Sequence, residues 1–136
     1  MIAQVIHEPL DLQFHVEHVS GPRAGAVATF VGLVRDHDPS VEGRVVGLDY
    51  SAHPDAGAVL TAIASSFADD VLGLAVSHRI GHLAVGEAAI VAAVATSHRA
   101  EAFDVCRALV ERVKAELPVW KREVLEDGSH VWVGMT

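Results

Sequence analysis

Apolar side chains dominate Ile2 to Ile6, which predicts a short opening strand. A helix is expected from Asp11 through Val19, with Phe14 and His18 at helical spacing and Gly21-Pro22 to close it. Ala24 to Arg35 reads as apolar and extended, with Gly25 and Gly32 expected at bulges or close backbone approaches, and a polar, turn-rich loop follows from Asp36 to Arg44. In Val45 to Ala52 the alternation puts Val46, Leu48 and Tyr50 on one face of a strand. Pro54 opens a helix reaching Ala68, striped by Val59, Leu60, Ile63 and Phe67. Leu74 to His82 and Ala88 to Thr96 flank Val85-Gly86-Glu87 and predict a long antiparallel hairpin. The last helix is expected from Arg99 to Leu117, burying Phe103, Cys106, Val110, Val113 and Leu117. Pro118 stops it, because the residue before a proline avoids the helical region. Val119 to Leu125 and His130 to Val133 form a final hairpin around Asp127-Gly128. Hairpins with two main helices give an α+β class with mostly antiparallel sheet.

A chain of 136 residues, 51% of them hydrophobic, suits one domain over residues 1–136. The mean hydropathy of +0.33 is high for a soluble monomer, so either another subunit covers apolar surface or helices bury a large sheet. With 18 acidic against 10 basic residues, a net charge of −8 and no basic run, no nucleic-acid partner is expected. Cys106 is the one cysteine and falls on the buried stripe, so no internal disulfide is expected. The N-terminus lacks the pattern of a signal peptide. The most apolar stretch, Leu83 to Ser97, is interrupted by Gly86 and Glu87 and is too short to cross a bilayer. A cytoplasmic protein without a membrane segment is the expectation.

Lysine is normally a common surface residue, yet this chain has two, Lys114 and Lys121, against eight arginines. Lys114 falls in the last turn of the final helix beside Val113, at the edge of the core. Lys121 follows Pro118 and Trp120 at the start of a strand that can fold back beside that edge. Two ammonium groups brought together, or near Arg35, disfavour each other's charge, and one could then act as a base or nucleophile near neutral pH. On spacing alone a second account also fits: Lys114 snorkels from a helix C-terminus and Lys121 pairs with Glu123 on a strand surface.

Ser97-His98-Arg99 begins the final helix, where free N–H groups attract anions and the two side chains add donors suited to phosphate or carboxylate. An N-capping Ser97 and a solvated Arg99 would explain the same residues. Phe30-Val31-Gly32-Leu33-Val34-Arg35 is a strand ending in an arginine before a polar loop. Nine histidines raise a metal site, with His78 and His82 on one strand face and Asp36-His37-Asp38 as a compact ligand set. No HExxH or CxxC accompanies them, so no metal site is expected.

Four segments together resemble the MoaE family, the large, catalytic subunit of molybdopterin synthase. They are Phe30 to Arg35, His78-Arg79-Ile80-Gly81, Ser97-His98-Arg99 with Ala102-Phe103, and Lys114-Ala115-Glu116-Leu117-Pro118-Val119-Trp120-Lys121-Arg122-Glu123. The resemblance implies an α/β-hammerhead fold, a homodimeric core and a small ubiquitin-like subunit at each end. That subunit's C-terminal Gly-Gly thiocarboxylate would donate sulfur to cyclic pyranopterin monophosphate, and two transfers would make the molybdopterin dithiolene, with no cofactor. Carried over by position, Lys114 and Lys121 are the catalytic lysines. Arg35, His98, Arg99, Arg122 and Glu123, with backbone around Leu33 and Val34, line the substrate site. Leu33 departs from the polar or basic residue that relatives often have there, and the chain ends at Thr136 where relatives often continue.

Two other readings use the same residues. A lyase or aldolase would make Lys114 a Schiff-base former, trappable by borohydride without a thiocarboxylate protein. A non-catalytic module would use the cationic residues only to capture a partner's C-terminal carboxylate.

Overall fold

The computed structural model describes residues 1–135. The elements run β1 (Ile2–Ile6), α1 (Leu12–Val19), β2 (Ala26–Leu33), β3 (Val45–Ala52), α2 (Ala56–Ala68), β4 (Gly73–Arg79), β5 (Gly81–Ala84), β6 (Ala88–Thr96), α3 (Arg99–Glu116), β7 (Val119–Leu125) and β8 (His130–Met135). They form two four-stranded sheets, ordered β1-β4-β6-β2 and β5-β3-β7-β8, antiparallel throughout except for the β1–β4 pair. The expected α+β class is found, with α1 as a short third helix beside the two main ones.

The first sheet is covered on both faces, which explains why nearly every residue of β6 is buried and apolar. α2 and α3 pack on one face over Leu74, Val76, Ala92 and Val94, the largest part of the core. α1 covers the other face, where Val19 meets Ala75, Ala93 and Ala95. It is capped by Asp11, whose carboxylate accepts the Phe14 N–H at 3.3 Å, and tied to the sheet by His15, which shares a 2.7 Å hydrogen bond with Ser77.

The expected long hairpin is interrupted. β4 pairs with β6 as far as His78 and Ile90, but from Gly81 the chain leaves that sheet and pairs with β3 in the other. Gly81 has φ +95°, a conformation that L side chains rarely adopt, and this is the bend that lets one apolar run serve two sheets. The change also separates His78, which stays in the core, from His82, which hydrogen-bonds Asp49 at 2.7 Å.

Two face assignments are corrected. Val46 is exposed while Leu48 and Tyr50 are buried, because a register shift between Val45 and Gly47 breaks the alternation. Phe103 is 66% exposed, whereas Cys106, Val110, Val113 and Leu117 are buried. Gly25 and Gly32 behave as expected: a Cβ at Gly25 would collide with the Ser97 carbonyl, and β2 carries a register shift at Gly32/Leu33.

Candidate active site

Pro118 ends α3 by holding Leu117 extended, at φ −69° and ψ 122°, and the buried Leu117 and Val119 anchor the turn into β7. Along β7, side chains then alternate. Lys121 lies opposite Tyr50 and Glu123 opposite Leu48 on the inward face, while Arg122 lies opposite Asp49 on the outward one. The inward residues meet the C-terminal end of α3 and the segment that follows β2. There they line a cavity of about 240 Å³ together with Leu33, Arg35, Asp38 and Lys114.

Three cations therefore converge on one cavity. Lys114, at its rim, is held below the ordinary lysine range by desolvation first and by the charge of Lys121 second, against a smaller opposing effect of Glu111. The Lys121 ammonium stands 4.0 Å from Oδ2 of Asp38. The other oxygen, Oδ1, accepts the backbone N–H of Ser40 at 2.9 Å and its hydroxyl at 2.6 Å, and those bonds hold the Asp38 carboxyl well below the usual range. Glu123 is almost fully buried; burial first and its hydrogen bond with Asp38 second push it up to about 7. Tyr50, raised to about 12 by burial and then by Glu123, presents a neutral phenol to the cavity. Its ring meets His78 edge-on, with centroids 5.2 Å apart. His78 donates from Nδ1 to the Arg79 carbonyl at 2.8 Å, and burial pushes it down to about 4, so it is neutral.

The sequence-predicted residues thus divide. Lys114, Lys121, Arg35, Leu33 and Glu123 come together. Val34 is buried, and its backbone N–H and carbonyl are both bonded, to Glu87 and Gly86. Arg122 faces away, bonding Asp49 at 2.7 Å and lying 5.6 Å from the Trp132 ring centroid. His98 and Arg99 lie at the opposite end of α3, separated from Lys114 by about 22 Å at 1.5 Å per residue. There they border a second hollow with Gly25 and Ser97, and His98, not Ser97, is the N-cap. His37, Asp38 and Tyr50 are polar cavity residues that the sequence did not single out for this site. Asp38 was visible as part of Asp36-His37-Asp38, and Tyr50 as an inward strand residue.

Residues 5–116 match the family model described as MoaE protein. The chain belongs to the MoaE family. The match includes Lys114 and ends before Lys121. The chain is 40% identical over 130 residues to molybdopterin synthase catalytic subunit 1 of Mycobacterium tuberculosis, covering 93% of this chain and 86% of that one. It is 39% identical over 127 residues to the molybdopterin synthase catalytic subunit of Arabidopsis thaliana, over 90% of this chain, and it spans 62% of that relative's length. Among solved structures, molybdopterin synthase from Staphylococcus aureus superposes with a TM-score of 0.87 at 30% identity, over 97% of this chain and 96% of that one. As a MoaE protein, the chain has its α+β architecture in common with that structure. Among the described residues, no helix is long and apolar enough to cross a membrane.

Proposed function

We propose that this MoaE protein is the catalytic subunit of a molybdopterin synthase. In this reading it transfers sulfur from the C-terminal thiocarboxylate of a small ubiquitin-like subunit to cyclic pyranopterin monophosphate. The observation that carries the reading is the convergence of Arg35, Lys114 and Lys121 on one cavity, in a chain with only those two lysines. Both reactants are anionic, and cations fixed before the ligands arrive stabilise charge without reorganisation. At each of two side-chain carbons the thiocarboxylate sulfur forms a C–S bond as a carbon–oxygen bond breaks: at one the cyclic phosphate opens and its oxygen stays on the phosphate, and at the other the oxygen leaves as water. Water then cleaves the acyl–sulfur bond and its oxygen stays on the small subunit, which leaves as an ordinary carboxylate. Lys114, depressed below the ordinary lysine range, suits the proton transfers of that hydrolysis, and Lys121 and Arg35 suit the phosphate and the oxygen it leaves.

The cavity takes His98 and Arg99 only from a second copy of the chain. β2 is an edge strand, and Val27 on it and Phe103 beside it are exposed. Its first residues adjoin Ser97 and its last adjoin the cavity, so β2 and α3 span the same distance in the same direction. Pairing β2 with its copy antiparallel about a two-fold axis brings the start of one strand to the end of the other. His98 and Arg99 of each copy then face the partner's Arg35. In this arrangement the homodimer completes two cavities, covers Phe103 and pairs an otherwise free sheet edge.

Incubation with thiocarboxylated small subunit and cyclic pyranopterin monophosphate tests the proposal by detection of the dithiolene product. Absence of product from a folded, partner-bound sample would sink it. A substrate adduct on Lys114 trapped by borohydride without any thiocarboxylate protein would favour a Schiff-base lyase instead.

A further inference from the structure

The cations account for anion binding and leave the two acids of the cavity without a role. Asp38 and Glu123 arrive from different elements, the loop after β2 and strand β7, and are 8% and 2% exposed. Both line one cavity of about 240 Å³, and two buried carboxyl groups confined so closely ionise together only at a cost, which favours a proton on one of them. The surroundings decide which. Ser40 donates twice to Asp38, and Lys121 stands 4.0 Å from its other oxygen. Among the described residues no such pair of donors serves Glu123, which shares the cavity with Asp38 and lies on the same face of β7 as Lys121.

We propose that Asp38 is a positioning residue that keeps a proton on Glu123 and thereby sets the charge the cavity presents to an anionic ligand. The proposal takes from the sulfur-transfer reading only the identity of that anion. The groups facing the pair are Lys121 on the same strand as Glu123, Arg35 after β2, His37 on the loop, Tyr50 on β3 and Lys114 on α3. Lys121 and Arg35 favour ionised Glu123, but burial and Asp38 outweigh them and hold it at about 7. Below neutrality the pair carries one negative charge, and above it two. A cyclic phosphodiester stays a monoanion across that range, so its binding weakens with rising pH because the cavity changes and the ligand does not. Asp38→Asn removes the like charge and offers Glu123 an amide donor. Glu123 then ionises at lower pH, and the pair keeps one negative charge on both sides of neutrality.

The experiment is a carboxyl-carbon NMR titration of the whole protein labelled with 13C-aspartate and 13C-glutamate, in which Glu123 is assigned by its absence from Glu123→Gln. Expected are a Glu123 midpoint at about 7 in the wild type and a move toward the ordinary carboxylate range in Asp38→Asn. In parallel, KM for the cyclic phosphate substrate should rise by roughly fivefold or more across neutrality in the wild type and stay flat in Asp38→Asn. A merely structural Asp38 would leave that slope intact. An ordinary Glu123 midpoint in the wild type overturns the proposal, as does an unchanged one in Asp38→Asn. If Asp38→Asn does not fold, Ser40→Ala keeps both carboxyls and removes one donor; the Asp38 midpoint must then rise, and a fixed midpoint overturns the proposal. A wild type that titrates as expected but transfers no sulfur sinks the functional reading and leaves the carboxyl pair standing.

Discussion

Glu123→Gln is expected to stabilise the fold at neutral and alkaline pH. In the folded protein Glu123 is 2% exposed, and burial, then Asp38, raise its carboxyl from an ordinary 4.5 to about 7. Between those values the folded state binds more protons than the unfolded one, so stability falls as pH rises and stays lowered above the folded value. The gap from 4.5 to about 7 amounts to about 3 kcal/mol at roughly 1.4 kcal/mol per pH unit. Asp38 has the opposite sign: its lowered carboxyl contributes stability that is present above the ordinary aspartate range and lost only in acid, so it adds no slope near neutrality. A glutamine amide has the shape of the protonated acid, can donate to Asp38 and cannot ionise. Urea unfolding should therefore find wild type and variant nearly equal at about pH 4, and the variant more stable by about 3 kcal/mol at about pH 8.5. That is a large share of a total stability of about 5–15 kcal/mol. Parallel stability profiles for the two proteins would refute the reasoning, because they would mean that Glu123 ionises as freely when folded as when unfolded.

Lys114→Ala and Lys121→Ala should each slow dithiolene formation by about 100-fold or more, and near-normal rates in both would remove the lysines from the chemistry. Mixing Lys114→Ala with Arg99→Ala protein should recover activity that neither shows alone, since one of the two mixed cavities is then intact; no recovery after subunit exchange counts against a shared cavity. Phe103→Asp should shift sedimentation from dimer toward monomer, and an unchanged mass would acquit β2 as the interface. Gly81→Ala, forced to φ +95°, should lower thermal stability by roughly 1 kcal/mol or more, and an unchanged midpoint would show the bend to be unstrained.

The sequence was most legible where a single period ran long. The stripe from Cys106 to Leu117 and the stop at Pro118 are both found, and so is the uninterrupted apolar run of β6, which reflects helices on both faces of its sheet. It was least legible where one backbone angle redirects a pattern. The apolar run through Ile80 and Gly81 reads the same whether the chain continues or bends, and only the φ of Gly81 sends β5 to the second sheet. Val46 fails for a similar reason, since one extra residue in the register reverses the alternation. Phe103 keeps its place in the helical period, but at that level α3 has only the free edge of β2 beneath it.

The site obeys the same division. Lys121 and Glu123 share a strand face, and by that period Arg122 turns away to Asp49; being contiguous with two cavity residues in a motif does not make it a third. Nothing in the sequence tied Asp38 and Tyr50 to the lysines, although Tyr50 showed as an inward strand residue, because their meeting depends on two strands and a loop closing over one another. His98 and Arg99 present the opposite case, a motif suited to anions that α3 carries about 22 Å from the lysines it ought to serve. That separation counts against a binding role only for a solitary chain. Because β2 runs alongside α3 and ends at the cavity, the length that divides the two anion-binding motifs within one chain is the length that would superimpose them across a two-fold pair of β2 strands.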